Sequence, residues 1–83
     1  GSYKKYPQIL TNVEVANAES ILANKKFKNS CEKVQKEISE FDGKILVRKS
    51  GTESLLRILV EAKDSKVTEI HSKQLTDLAK DLA

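Results

Sequence analysis

The chain has 83 residues, of which 39% are hydrophobic and 33% are charged. This length suits one small domain, and the apolar content is too high for a disordered tail. A formal net charge of +3, scattered along the chain, does not by itself indicate a nucleic-acid-binding surface. No apolar run approaches the roughly 20 residues of a membrane-spanning helix, and the single cysteine excludes an internal disulfide.

The first five residues are expected to lie outside the domain. Gly1-Ser2 is typical of the scar of a cleaved expression tag, and residues 1–5 are predicted to be that scar and a linker. The N-terminus has no apolar stretch of the kind found in a signal peptide. Together with the unpaired cysteine, this favours a cytoplasmic protein. The domain is predicted to span residues 6–83, as a fragment of a longer protein.

The first half of the domain predicts one strand and one well-defined helix. Residues 8–15 alternate in the manner of a half-buried strand, and residues 17–24 favour a short helical turn. A helix is predicted over residues 30–41, because Asn29 can cap its N-terminus together with Glu32. Gly43 is expected to end this helix in a left-handed conformation. The predicted buried stripe of the helix consists of Cys31, Val34, Ile38 and Phe41.

The second half predicts a β-hairpin followed by a long helix. Two apolar segments, residues 44–48 and 55–61, flank a polar loop that contains Gly51. A final helix is predicted from Lys66 to about Leu82, with caps from Asp64 and Ser65. The element order predicts an α+β fold, in which two main helices pack on one face of a small antiparallel sheet. The apolar stripe of the last helix is predicted to consist of Val67, Ile70, Leu75, Leu78, Ala79 and Leu82.

The hairpin loop gathers groups that suit the oxygens of a phosphate. Arg48 can make a planar, two-pronged, charge-assisted contact, while Ser50 and Thr52 supply hydroxyls. Gly51 permits a tight backbone turn whose N–H groups can point inward at an anion. The loop carries no general base, nucleophile or metal-ligand set of its own. Residue types and spacing therefore predict an anion-binding loop and no catalytic site.

Two other interpretations remain open at this level. Ser-Gly-Thr is also ordinary hairpin chemistry, and Arg48 could simply pair with Glu53 or Glu61. The basic segment 25–28, which includes Phe27, could favour RNA binding, although four aromatic residues in the whole chain offer no obvious stacking platform.

The segment from Arg48 to Glu61 resembles the phosphate-binding signature of the α-D-phosphohexomutases, and within them it is most similar to the glucosamine branch. Members of that branch typically read Arg-Pro-Ser-Gly-Thr-Glu-Pro-Leu-Ile-Arg-Val-Met-Val-Glu. Residues 6–13 are similar to the segment that opens the last domain of those enzymes, and residues 42–48 match the approach to the loop. The chain departs from the signature at Lys49 and Ser54, where proline is usual, so we expect a more mobile loop.

The resemblance implies a TATA-box-binding-protein-like fold and a role as the fourth domain of a four-domain enzyme. In that family the first domain carries the phosphoserine, the second holds Mg²⁺ and the third recognises the sugar. No catalytic residue and no metal ligand are therefore expected in this chain. The expected partners are a phosphosugar and the other three domains, with no nucleic acid and no membrane. The implied phosphate-binding residues are Arg48, Ser50, Gly51 and Thr52, with Lys49, Glu53 and Arg57 as possible supporting residues.

The reaction implied by the resemblance is the interconversion of glucosamine 6-phosphate and glucosamine 1-phosphate. It would proceed through a phosphoserine enzyme and a sugar bisphosphate, on the route to UDP-N-acetylglucosamine and peptidoglycan precursors. The isolated domain is expected to be inactive. Alternatives are the same domain from a phosphomannomutase or phosphoglucomutase, a stand-alone anion- or nucleic-acid-binding module, and a purely structural dimerisation domain.

Overall fold

The structure is a computed structural model that describes residues 6–51 and 54–83. It confirms the predicted α+β class and the predicted order of elements. The central hairpin strand has the predicted bounds, and the other strand bounds differ from the prediction by one residue. The elements are β1 (Gln8–Glu14), α1 (Ala18–Ala23), α2 (Lys25–Ser39), β2 (Lys44–Lys49), β3 (Leu55–Glu61) and α3 (Ser65–Leu82).

The three strands form one antiparallel sheet in the order β1-β3-β2, so β3 is central and both other strands are edges. The register places Leu10 of β1 and Leu46 of β2 on either side of Leu59. All three helices pack on the same side of this sheet. The helix α3 lies against β1 and β3, while α1 and α2 lie against β2. The other side, called here the open face, carries no helix in the described part of the chain.

The core lies between the sheet and the helices. On β3, Leu56, Ile58 and Val60 point into it and are fully buried. A fully buried aliphatic side chain of this size stabilises the fold by roughly 1.5–3 kcal/mol. The alternate residues of the same strand point to the open face. The helical side of the core is made by Phe27, Val34 and Ile38 of α2 and by Leu75 and Ala79 of α3.

The helix α2 begins at Lys25, five residues before the predicted start, so the predicted cap at Asn29 is wrong. The cap is Asn24, whose side-chain oxygen accepts from the N–H groups of Lys26 and Phe27 at 2.8 and 3.4 Å. Phe27 is 1% exposed and extends the buried stripe by one helical repeat. The basic segment 25–28 is therefore the first turn of α2, and its aromatic ring is not free to stack on a base.

The end of α2 also differs from the prediction. The helix stops at Ser39, so Phe41 lies beyond it, and Asp42, not Gly43, takes the left-handed conformation with φ 53°. The Asp42 N–H bonds the Ser39 carbonyl at 3.2 Å and the Gly43 N–H bonds the Ile38 carbonyl at 2.9 Å. This is the pattern of a Schellman motif. Gly43 is needed for space, since a Cβ there would lie 2.7 Å from Ile38.

The final helix starts at Ser65, one residue before the predicted start, and its cap is Asp64, one of the two predicted caps. The prediction that Ile70 belongs to its buried stripe is wrong. Ile70 is 63% exposed, because it lies about 140° around the helix axis from Leu75. Thr68 and Ser72 are buried instead. The Thr68 hydroxyl donates to the carbonyl of Asp64 at 2.9 Å, which satisfies it inside the core.

Candidate functional site

The hairpin loop joins β2 to β3 at one end of the sheet. The Ser50 N–H donates to the Leu55 carbonyl at 2.9 Å, which continues the ladder one pair beyond the end of β2. Gly51 follows in an exposed turn without a positive φ, so it does not use the left-handed conformation that glycine permits. A Cβ at Gly51 would meet nothing within 4 Å. Thr52 and Glu53, two of the predicted site residues, lie outside the described residues.

Two arginines face each other on the open face next to this loop. Arg48 of β2 and Arg57 of β3 are direct partners in the antiparallel register, and both are exposed. Directly opposed residues project from the same side of a sheet, and like charges in that position are destabilising. An anion between the two guanidinium groups would relieve this repulsion and accept hydrogen bonds from both. The pair therefore concentrates positive charge at this point of the open face.

The surroundings of the arginine pair form a shallow cavity on the open face. Asn12 of β1 is the direct partner of Arg57 on its other side, so a polar row crosses all three strands. The next row away from the loop is made of leucines, two of which are unusually exposed: Leu10 at 56% and Leu46 at 44%. The cavity, of about 260 Å³, is lined by Gln8, Leu10, Leu46, Arg48, Arg57 and Leu59.

Within the described residues, neither arginine of the pair forms a salt bridge. Glu61, one of the two partners considered for Arg48, instead lies 4.0 Å from Lys44 and accepts from Gln8 at 3.3 Å. The other, Glu53, is not among the described residues. The positive charge of the row is thus not neutralised by Glu61.

Lys49 projects away from the arginine pair. It forms an ion pair with Glu19 of α1, on the helical side of the sheet. The hydrogen bond from Lys49, and then its charge, lower the pKa of the Glu19 carboxyl below its ordinary value. The sequence places these residues 30 positions apart, and nothing in their local pattern predicts the contact. In this structure Lys49 links β2 to α1, and its ammonium group does not line the open face.

A second hollow lies on the β1 side of the loop. It has a volume of about 470 Å³ and is lined by residues of the β1–α1 connection together with Ser54, Leu55 and Ala83. Among the described residues that line it, Glu14 carries the one ionisable side chain, a carboxylate. This larger hollow therefore suits an anion poorly, and the arginine pair marks the better site.

The lone histidine belongs to the helical layer. His71 of α3 is half-buried, with Nε2 3.6 Å from a carboxylate oxygen of Glu37 on α2 and Nδ1 3.2 Å from the amide oxygen of Gln74. Nothing in the local sequence pattern predicts the contact with Glu37. This arrangement ties α2 to α3 on the side of the sheet opposite the arginine pair.

A metal site does not fit the residues that the structure describes. Residues 6–51 and 54–83 contain no group of three or more His, Cys, Asp or Glu side chains placed to hold a metal ion.

No helix in the described part of the chain is long and apolar enough to cross a membrane.

Comparison with known proteins finds relatives of similar sequence. The chain is 42% identical over 77 residues to a phosphoglucosamine mutase from Bacillus licheniformis, and 41% identical over 81 residues to one from Staphylococcus aureus. These matches cover 93% and 98% of the chain, which spans only 17% and 18% of the length of those relatives.

Solved structures agree on the fold. The chain superposes on an Aspergillus fumigatus N-acetylphosphoglucosamine mutase, crystallised with GlcNAc-6P and magnesium, with a TM-score of 0.79 and 21% identity. That match covers 96% of this chain and 16% of the other. An N-acetylglucosamine-phosphate mutase of the α-D-phosphohexomutase superfamily, in its product complex, gives a TM-score of 0.75 at 24% identity. That match covers 92% of this chain and 16% of the other.

The sequence profile of one domain family covers most of the chain. It matches residues 10–81, which include most of β1, the whole hairpin and nearly all of the last helix. The chain therefore belongs to the phosphoglucomutase/phosphomannomutase C-terminal domain family.

Proposed function

We propose that this chain is the substrate-phosphate-binding domain of a phosphoglucosamine mutase. The parent enzyme would interconvert glucosamine 6-phosphate and glucosamine 1-phosphate through a phosphoserine enzyme and a sugar bisphosphate. The observation that carries the proposal is the opposed pair Arg48 and Arg57 beside the Ser50-Gly51 turn. The phosphoglucosamine mutases at about 40% identity support the choice of branch.

A phosphate at this loop would be held by several converging donors. The Arg48 guanidinium would bind two oxygens from β2, and Arg57 would approach from β3. The hydroxyls of Ser50 and Thr52 and the N–H of Gly51 would complete the shell, while Glu53 would support the loop. Each charge-assisted bond contributes roughly 1.5–3 kcal/mol. Three or four of them give an affinity between about millimolar and micromolar once the cost of ordering the loop is subtracted.

Holding a phosphate serves the reaction without performing it. The domain would anchor the non-reacting phosphate, so that the reacting hydroxyl meets the phosphoserine in the correct geometry. Because the bisphosphate must turn over, the same loop would hold either phosphate in successive half-reactions. Rotation of the domain would close the cleft and exclude water, which favours transfer over hydrolysis. The serine and the Mg²⁺ site would lie in parts of the enzyme outside this chain, so the isolated domain should not turn over substrate.

The same domain in a phosphomannomutase or phosphoglucomutase is the second candidate. The family profile is named for both of those activities. Phosphate binding does not depend on the sugar, so we expect the residues that select the sugar to lie outside this chain. A nucleic-acid-binding module is less favoured, since the aromatic ring of the basic segment is buried in the core.

Amide NMR of the 83-residue chain during titration with inorganic phosphate tests the proposal. Shifts should be largest for residues 48–53 and Arg57. The Arg48→Ala variant should weaken binding by about ten- to a hundredfold, as expected for one charge-assisted contact. Lys44→Ala is the matched control, because Lys44 lies on the same strand and the same face but four residues from Arg48. Shifts centred on residues 25–28, or equal losses in both variants, would overturn the proposal.

A further inference from the structure

The two strands that carry the phosphate hairpin are fixed by different means. On the β3 side, the Ser54 carbonyl accepts from the N–H of Val15 at 3.0 Å, which ties the loop to the end of β1. On the β2 side the described part of the chain supplies no neighbouring strand, because β2 is an edge of the sheet. Arg48 belongs to this less supported strand. The orientation of the C-terminal end of β2 therefore sets the direction of the Arg48 side chain.

Side chains from the helices contact both ends of β2. At the start, the amide of Gln35 donates to the Gly43 carbonyl and accepts from the Ile45 N–H, both at 3.0 Å. At the end, Lys49 reaches Glu19 of α1. The edge strand is therefore tied to α2 at one end and to α1 at the other, and the second tie adjoins Arg48.

The helix α1 offers a firm platform for this second tie. It has only six residues, but Ala18 and Ile21 are 9% and 2% exposed and fix it in the core. Asn17 caps it by accepting from the N–H of Ser20 at 3.2 Å. Glu19 lies on the solvent side of this anchored turn, so its backbone is held while its carboxylate stays accessible to Lys49.

We propose that Glu19 is a positioning residue for the phosphate-binding hairpin, acting through its ion pair with Lys49. This inference rests on the proposed function of the loop. Successive residues of a strand point to opposite faces, so holding the Lys49 side chain on the helical side keeps Arg48 directed to the open face. The ion pair also keeps the Lys49 ammonium away from the bound phosphate, which leaves the arginines to set the geometry.

The expected effect is modest because both partners are partly solvated. The side chains of Lys49 and Glu19 are 52% and 70% exposed. Ion pairs with this exposure typically change an equilibrium by up to about fivefold. We therefore expect Glu19→Gln to weaken the binding of inorganic phosphate about two- to fivefold and to speed amide exchange at Ser50 and Gly51 in the ligand-free chain.

The discriminating experiment compares Glu19→Gln with Lys49→Gln at about 0.15 M salt, where long-range charge effects are screened beyond about 8 Å. If the pair positions the hairpin, both variants weaken phosphate binding to a similar extent, the double variant is no worse, and the swap Glu19→Lys with Lys49→Glu restores amide protection. If Lys49 instead binds phosphate directly, Lys49→Gln weakens binding while Glu19→Gln strengthens it. Effects of opposite sign would overturn the inference.

The control and the readout separate this inference from the proposed function. Glu14→Gln removes an exposed carboxylate near the loop that pairs with no lysine among the described residues, and it should leave amide exchange at Ser50 unchanged. Absence of phosphate shifts in the unaltered chain would refute the proposed function. Unchanged amide exchange in Glu19→Gln and Lys49→Gln would refute the positioning role, whether or not phosphate binds.

Discussion

The two faces of the sheet differ in chemistry although the same strands build both. On the helical face, Leu56, Ile58 and Val60 of β3 are fully buried. On the open face, Arg57 of β3 lies directly opposite Arg48 of β2. One face is an aliphatic core that excludes water, and the other is an exposed row of charge beside a row of leucines.

We infer that the seven residues of β3 contribute to stability through one face and to phosphate binding through the other. A strand alternates its side chains with a period of two, so one segment can contribute to a core and to a ligand site without compromise between them. The opposed arginines weaken the free domain, and the buried aliphatic residues offset that weakness. Variants on one face should therefore change the free energy of unfolding, and variants on the other should change affinity for phosphate.

The largest expected effect on the helical face is that of Ile58→Ala. Removing this fully buried side chain should lower the free energy of unfolding by about 2–5 kcal/mol, because it leaves a cavity between the sheet and the helices. Urea denaturation measures the loss. Leu46→Ala, on the open face with 44% exposure, is the control and should cost less than about 1 kcal/mol. Equal losses in the two variants would contradict the assignment of the faces.

Arg57→Ala tests the open face, where we expect a change in phosphate affinity and little change in stability. Phosphate affinity should fall by about ten- to a hundredfold, the equivalent of one charge-assisted contact. The free energy of unfolding should stay the same or rise slightly, since the repulsion with Arg48 is removed. Lys63→Ala, an exposed lysine just beyond the end of β3, provides the charge-matched control. A large loss of stability with unchanged binding would show that Arg57 is structural.

The two glycines among the described residues differ in the space around them, one beside the core and the other in the hairpin loop. Gly43→Ala should destabilise the domain by about 1–3 kcal/mol, because the added Cβ would lie 2.7 Å from Ile38. Gly51→Ala should change stability by less than about 0.5 kcal/mol, since the space around it is open. Thermal denaturation compares the two variants. A destabilising Gly51→Ala would indicate that the turn itself needs glycine.

The smallest expected effect concerns the thiol beneath the edge of β2. Burial raises the pKa of Cys31, so its thiolate fraction at pH 8 is lower than that of a free cysteine. Alkylation by iodoacetamide should be slower than for the urea-unfolded chain, and its rate should keep rising above pH 9. A folded-state rate equal to the unfolded one would show that the helical face is open to solvent at this point.

The sequence predicts the elements with strong periodicity and misses features that depend on contacts. The bounds of β3 follow from an apolar segment that only Arg57 interrupts before Glu61, and the start of α3 follows from Asp64. The start of α2 was predicted at the wrong asparagine, because Asn24 and Asn29 are equally good caps and only the burial of Phe27 decides between them. The exposure of Ile70 depends on how α3 is rotated against the sheet, which no local pattern specifies.

For the candidate site, the residue types can be predicted from the sequence. That Arg48 and Arg57 lie opposite each other follows from the register of β2 and β3. A hairpin with a five-residue connection from Ser50 to Ser54 places Arg48 opposite Arg57, and alternation assigns both to the face opposite the core. The pairing of Lys49 with Glu19 could not be predicted, because it depends on where α1 docks against the edge strand. Asn12 joins the row only through the pairing of β1 with β3.

We propose that the domain binds the phosphate group and makes no contact that depends on the rest of the substrate. The most direct test is to titrate the 83-residue chain with glucosamine 6-phosphate, inorganic phosphate and glucosamine, following amide shifts of residues 48–51 and Arg57. We expect the first two ligands to shift the same amides and to displace each other, while glucosamine alone shifts none of them. Shifts caused by glucosamine, or no response to either phosphate at tens of millimolar, would contradict it.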